Sequence, residues 1–146
     1  MNQYLKQYQK NQIETASQEQ LLIMLYNGAI QFLNIARKAM EEKNIEETHN
    51  NIIKAQKIIT EFQATLDMEN GGEVAQNLYS LYVYLNKKLV DANIHKNIAS
   101  LDEVLGHLKD LRDTWVKAIQ IAKSENAQSE ENEAQETHDW AVGDEE

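Results

Sequence analysis

Apolar residues recur at alternating intervals of three and four along roughly a hundred consecutive positions, and no proline interrupts them. That spacing follows one face of an α-helix, whereas a half-buried strand would alternate at every second residue. Ser17 with Gln20 three positions on is a capping-box pattern, so a first helix is expected from about residue 18 to 42. Its stripe is Leu22, Leu25, Ala29, Phe32, Ala36 and Ala39. Asn44 and Glu47 repeat the capping pattern, and a second helix runs to about Leu66 on Ile45, Ile52, Ala55, Ile59, Phe62 and Leu66. Gly71 and Gly72 supply the positive φ that the next turn needs. A third helix from about Glu73 carries Val74, Leu78, Leu81, Leu85, Leu89 and Ala92, and the polar run from Asn93 to Asn97 turns the chain again. A fourth helix, starting between Asn97 and Ser100, keeps the period through Leu101, Val104, Leu108, Leu111, Trp115, Ala118 and Ala122. Helices of similar length joined by short loops pack as antiparallel neighbours. The expected fold is all-α, an antiparallel up-and-down four-helix bundle.

The charge divides the chain further. The net charge is −10, but nine of the 24 acids follow Ser124 and no Lys or Arg does, so residues 1–123 set fifteen acids against all 14 bases. The expected organisation is therefore an N-terminal segment over 1–16, rich in Gln and Asn and flexible, a bundle domain over 17–123, and an acidic tail over 124–146. The tail holds too little apolar surface to offset the entropy of ordering it, so disorder is expected there. A nearly neutral domain lacks the basic footprint of a nucleic-acid binder. The absence of cysteine removes disulfides, thiolate metal sites and cysteine nucleophiles, and fits a reducing compartment. With no apolar run of signal-peptide or membrane-span type, the expected location is the cytoplasm and no membrane insertion is expected.

Catalytic constellations are missing. A di-iron bundle needs two Glu-x-x-His motifs facing each other, and here Glu46 with His49 is the single copy, in the first turn of the second helix. Glu103 with His107 reads equally as a surface pair. Gly71-Gly72 lacks the Lys-Ser or Lys-Thr of a phosphate-binding loop. No enzyme activity, metal or cofactor is expected.

Three helices instead carry more apolar surface than one core stripe requires. Ile23, Tyr26, Ile30 and Leu33 make a second stripe on the first helix, Ile53 and Ile58 add to the second, and Tyr79, Tyr82, Val83 and Val90 add to the third. Either these widen the core, with tyrosine hydroxyls at its edge, or they line a long apolar groove for an amphipathic partner segment. Gly28 sits in the middle of the first helix, where close approach of a neighbouring helix would explain a glycine.

The segments Tyr8-Gln9-Lys10-Asn11-Gln12-Ile13, Thr15-Ala16-Ser17 and Met24-Leu25-Tyr26-Asn27-Gly28-Ala29-Ile30 resemble the N-terminal signature of the flagellar secretion chaperone family FliS. The likeness continues in order through Asn51-Ile52-Ile53-Lys54-Ala55-Gln56-Lys57-Ile58-Ile59, Leu78-Tyr79-Ser80-Leu81-Tyr82, Leu89-Val90-Asp91-Ala92-Asn93 and Leu111-Arg112-Asp113-Thr114-Trp115. It covers roughly residues 4 to 122. The family commonly sets its two N-terminal tyrosines three apart, whereas Tyr4 and Tyr8 are four apart. The resemblance implies a cytoplasmic, non-catalytic chaperone that binds the C-terminal segment of flagellin, keeps it from polymerising early and hands it to the export gate component FlhA. It also implies that the N-terminal segment can lie over the groove, with Tyr8 and Ile13 as removable plugs; ordinary terminal packing is the other account of these two residues. The rival reading is a regulatory bundle that uses its second stripes to homodimerise, weakly or stably, or to bind another helical partner. Trp140, alone in the acidic tail, fits either a short partner anchor or a merely solubilising segment.

Overall fold

The computed structural model describes residues 17–143, with side chains to His138, together with Gln3, Lys6 and Gln7. Four helices follow one another: α1 (Gln18–Glu41), α2 (Ile45–Thr65), α3 (Gly72–His95) and α4 (Ile98–Gly143). Three of them follow a residue whose side chain accepts from the first backbone N–H groups, and α3 follows Gly71, with no such side chain. The Ser17 hydroxyl accepts from the Gln20 amide at 3.2 Å while the Gln20 side chain accepts from the Ser17 amide at 3.1 Å, a complete capping box. Asn44 caps α2 through the Glu47 amide, but the return half of that box is absent because the Glu47 carboxylate accepts from Asn51 instead. Asn97 caps α4 through the amides of Ala99 and Ser100.

Two of the three connections are built alike. At Lys43-Asn44-Ile45 and Lys96-Asn97-Ile98 the lysine takes left-handed φ (59° and 50°). The next amide then reaches back to Ala39 O at 2.8 Å or to Ala92 O at 3.1 Å. This is the reverse turn that ends many helices, and the same asparagine at once caps the following helix. Between α2 and α3 the two glycines divide the work. Gly72 has φ +56°, while a Cβ on Gly71 would lie 2.5 Å from Asp67 O, so Gly71 is glycine for space and not for a positive φ.

By compactness the chain divides into residues 1–112 and 113–146. Within the first unit, the cross-helix contacts fix the packing. Between α1 and α2, Tyr26 stacks on Phe62 and Lys54 lies over Phe32, so rising numbers on one helix meet falling numbers on the other. The same antiparallel order joins α2 to α3 (Gln56 to Asn86, His49 to Asn93). It joins α3 to α4 through Tyr84 to Glu103 and Asp91 to Ser100, and α4 to α1 through Asp102 to Arg37 and Arg112 to Asn27. Four antiparallel neighbours close a ring, which is the expected four-helix bundle. The core lies inside that ring. Leu33, Ile52, Ile59, Leu85, Leu89, Leu101, Val104 and Leu108 are fully buried, with Ala29, Ala36, Ala55 and Ala92 between them. Two buried polar residues are satisfied within their own helix: Thr48 donates to Asn44 O and Asn51 to Glu47 O.

Core phases differ in places from the spacing. On α1 the buried set is Tyr26, Ala29, Ile30, Leu33, Ala36, Ala39 and Met40, whereas Leu25 is exposed and Leu22 and Phe32 are half-buried. Ile45 and Val74, expected on core stripes, are exposed, as are Ala118 and Ala122. The second unit departs most. Helical structure continues through Ser124 to Gly143, where the composition predicts disorder, and the side chains from Ala122 to His138 are all exposed. Burial does not hold this helix. A segment rich in Ala, Glu and Gln, free of proline and continuous with a formed helix, extends it without a new nucleation step. The side chain of Trp140 and the residues Tyr4, Tyr8 and Ile13 lie outside those described.

Candidate functional site

Of the ten residues expected to line a groove, four are core. Tyr26 and Leu33 are 0% exposed, Tyr82 2% and Ile30 6%. Their burial has a specific cause. The Phe62 ring is stacked on Tyr26 at 4.3 Å between centroids and tilted against Tyr82 at 5.5 Å. The two phenol hydroxyls meet 2.6 Å apart across the bundle, one donating to the other. A tyrosine is buried at little cost when its hydroxyl has such a partner. These side chains tie α1 to α3 across the centre of the ring, and no partner segment could lie on them without opening the bundle.

The other six separate by face. His49, Ile53, Gln56, Thr60 and Gln63 form one row of α2, and Tyr79, Val83, Asn86, Val90 and Asn93 form the facing row of α3, by helical spacing. Polar members of the rows join across the seam. Gln56 donates to Asn86 O, the Asn86 amide donates to Thr60 and Gln63, and Asn93 donates to His49 Nδ1 at 2.8 Å. Asn86 Oδ1 is left buried without a hydrogen-bond partner. Around this ladder Tyr79 and Val90 are exposed and Ile53 and Val83 half-buried. Ile94 and Ile45 at the turn end are 69% exposed, an apolar extension that the spacing had assigned to a loop and to the core.

Ile58 belongs to a different face. On α1 the residues Leu21, Leu25, Gly28, Phe32 and Ile35 form a row that is half-buried or exposed along its whole length. The Ile58 side chain of α2 stands opposite Gly28, and the Lys54 ammonium lies 5.4 Å from the Phe32 ring centroid, within cation–π range. Leu25 and Phe32 were expected in the core, so this row was missed; its signal was the apolar excess itself, read in the wrong phase. A Cβ on Gly28 would meet Ile58 Cδ1 at 3.7 Å, an ordinary contact. Close helix approach therefore does not require this glycine, which costs roughly 1 kcal/mol relative to alanine in a helix. Ile23, half-buried, shares a row with Asn27 and Arg37, which face α4.

The α3–α4 seam is charged. Tyr84 donates to Glu103 at 2.8 Å and Lys88 pairs with the same carboxylate at 3.4 Å. The tyrosine hydrogen bond first, and then the lysine charge, hold Glu103 below the usual carboxylate range, although partial desolvation opposes them. Asp91 is lowered chiefly by the Ser100 hydroxyl. His49 is engaged with Asn93, and among the described residues no group of three or more His, Cys, Asp or Glu could hold a metal. No described helix is long and apolar enough to cross a membrane.

The bundle has a sealed aromatic centre and two outward rows that carry apolar side chains, and among the described residues no catalytic constellation is assembled. Comparison with known proteins gives the family. The sequence pattern of "FliS: Flagellar protein FliS" matches residues 1–122, and the chain belongs to that family. It is 38% identical over 118 residues to "Flagellar secretion chaperone FliS" of Bacillus subtilis (strain 168), covering 81% of this chain and 87% of that one. To "Flagellar secretion chaperone FliSB" of Pseudomonas aeruginosa it is 39% identical over 115 residues, covering 76% and 91%. A solved structure described as "Crystal structure of flagellar chaperone from bacteria" superposes with a TM-score of 0.66 over 81% of this chain and 96% of that chain, at 18% identity, and supports the fold. The family is one of chaperones and not of enzymes.

Proposed function

We propose that this chain is a cytoplasmic export chaperone that binds the C-terminal segment of flagellin, prevents its early polymerisation and delivers it to the export gate protein FlhA. The observation that carries this reading is the apolar surface left outside a closed core: the α1 row with Ile58 and the α2–α3 row from Tyr79 to Val90. A segment that orders on binding loses conformational entropy, and a long apolar surface offsets that loss. The residues proposed to take it are Ile53, Ile58, Tyr79, Val83 and Val90, joined by Leu25 and Phe32. Tyr26, Ile30, Leu33 and Tyr82 support the scaffold from inside, and Ile23 lies in the row of Asn27 and Arg37.

Residues 1–16 fit a competing lid. They lead into Ser17, the cap of α1, at the head of the row that starts at Leu21. The row they would cover, from Leu21 to Ile35, spans about 21 Å. Tyr8 and Ile13 are the plugs this lid would use. Removing residues 1–16 is expected to tighten flagellin binding.

The test is calorimetric titration with monomeric flagellin from the same organism, full-length and lacking its C-terminal segment. Binding of the full-length form alone, with a negative heat-capacity change, is the expected result. Binding to neither form, together with a stable dimer in sedimentation, would replace this reading with the homodimeric regulatory bundle.

A further inference from the structure

We infer that Gly28 is a docking notch, a gap in the α1 apolar row kept open to receive one large apolar side chain of the bound flagellin segment; this rests on the flagellin-binding reading above. A glycine in the middle of a helix needs a reason, and the fold offers none here. Its φ is not left-handed, and a methyl group at the Cβ position would touch Ile58 Cδ1 at an unstrained 3.7 Å. The bundle would accept alanine. What remains is the outside of the helix, where Leu25 and Phe32 stand one turn before and one turn after Gly28 and Ile58 closes the third side. The absent side chain thus leaves a gap on a part-exposed surface, bordered across the seam by Ile58 and, by helical spacing, by Leu25 and Phe32 with Met24 and Gln31 beside them.

Gly106 provides the contrast. It too lies in a helix, and a Cβ there would meet nothing within 4 Å. Its surroundings on α4 are Asp102, Glu103, Lys109 and Asp110, so the gap it leaves has no apolar wall. A gap becomes a socket when its rim can hold an apolar knob, as in the packing of one helix against another. The rim also carries a charge. Lys54 is exposed and extends over Phe32, one turn from the notch. The occupant that complements this site is an amphipathic helix with a large apolar residue at the notch and a carboxylate about one turn away, facing the Lys54 ammonium.

Three substitutions test it against full-length flagellin: Gly28→Ala, Gly106→Ala and Lys54→Gln. Gly28→Ala is expected to raise the unfolding midpoint of the free chaperone and to weaken flagellin binding about tenfold, because the methyl group fills the socket. Gly106→Ala is expected to raise the midpoint and leave the affinity unchanged. Lys54→Gln is expected to weaken binding several-fold and to flatten its salt dependence. Unchanged affinity in Gly28→Ala would overturn the notch while leaving the chaperone reading in place. A lowered midpoint in Gly28→Ala would also overturn it, by showing an internal need for the glycine. A wild-type chain that binds no flagellin would remove the chaperone reading and the notch together.

Discussion

Helix α2 meets its two neighbours in opposite ways. Toward α1 and the centre it presents Phe62, stacked on Tyr26, with Ile59, Ala55 and Ile52 in line below it. Toward the outside of α3 it presents Gln56, Thr60 and Gln63, which meet Asn86 through side-chain amides and a hydroxyl. The first seam excludes water and is held by area and ring contact. The second is held by hydrogen bonds exchanged for those to water, each of modest net value, and it leaves Asn86 Oδ1 unmet. The difference teaches where this bundle keeps its stability and where it can yield. The aromatic centre is the fixed part, and the amide seam beside Tyr79, Val83 and Val90 is the weaker one, placed next to apolar surface proposed to take a partner.

The largest effect is expected from breaking the first seam. Phe62→Ala removes a ring that is 3% exposed and contacts both tyrosines, and should cost about 3–5 kcal/mol in denaturant unfolding. A cost under about 1 kcal/mol would show that the centre is not the stabilising part. Next comes the hydroxyl pair. Tyr26→Phe removes one side of the hydroxyl pair and should cost about 1–3 kcal/mol, whereas Tyr26→Phe with Tyr82→Phe should cost less than the two single variants summed. A double variant as unstable as the sum of the two single ones would mean that the hydroxyls do not act as a pair.

The second seam should respond less. Asn86→Ala gives up its donated hydrogen bonds but also removes the unmet acceptor, so a cost below about 1 kcal/mol is expected. A loss as large as that of Phe62→Ala would erase the contrast between the seams. The smallest effect concerns pH and the third seam, between α3 and α4. Glu103 and Asp91 have folded pKa values below the ordinary carboxylate range. Their contribution is therefore present above the unfolded pKa and fades as pH falls through the folded one. Unfolding midpoints followed from neutral to acid pH should fall, and Glu103→Gln should flatten part of that fall. A variant curve parallel to wild type would remove Glu103 from the account.

Much of this was legible before any coordinates. The bundle class, the helix starts at Ser17 and Asn44 and the turn at Gly71-Gly72 follow from patterns spanning four or five residues. So does the core of α2 between Ile52 and Phe62, where Ile53 and Ile58 lie off the main stripe but do not form a complete competing one. On α1 there were two adjoining phases, Leu22-Leu25-Ala29-Phe32 and Ile23-Tyr26-Ile30-Leu33, and spacing gives both the same score. The candidate site was half legible for the same reason. The excess of apolar surface was visible, but which residues composed it depended on the phase of α1, so Tyr26 and Leu33 were placed outside and Leu25 and Phe32 inside. The tail from Ser124 was judged by its lack of core residues, a criterion for tertiary burial and not for backbone helix formation.

By itself the sequence determined where the helices begin and where α1, α2 and α3 end, because caps, left-handed residues and the 3.6-residue repeat act through hydrogen bonds between neighbours in the chain. Only the tertiary structure decided which side of α1 faces inward. That choice rests on Phe62 and Tyr82, 36 and 56 positions away from Tyr26, and a ring stack and a shared hydroxyl exist only once three helices have come together.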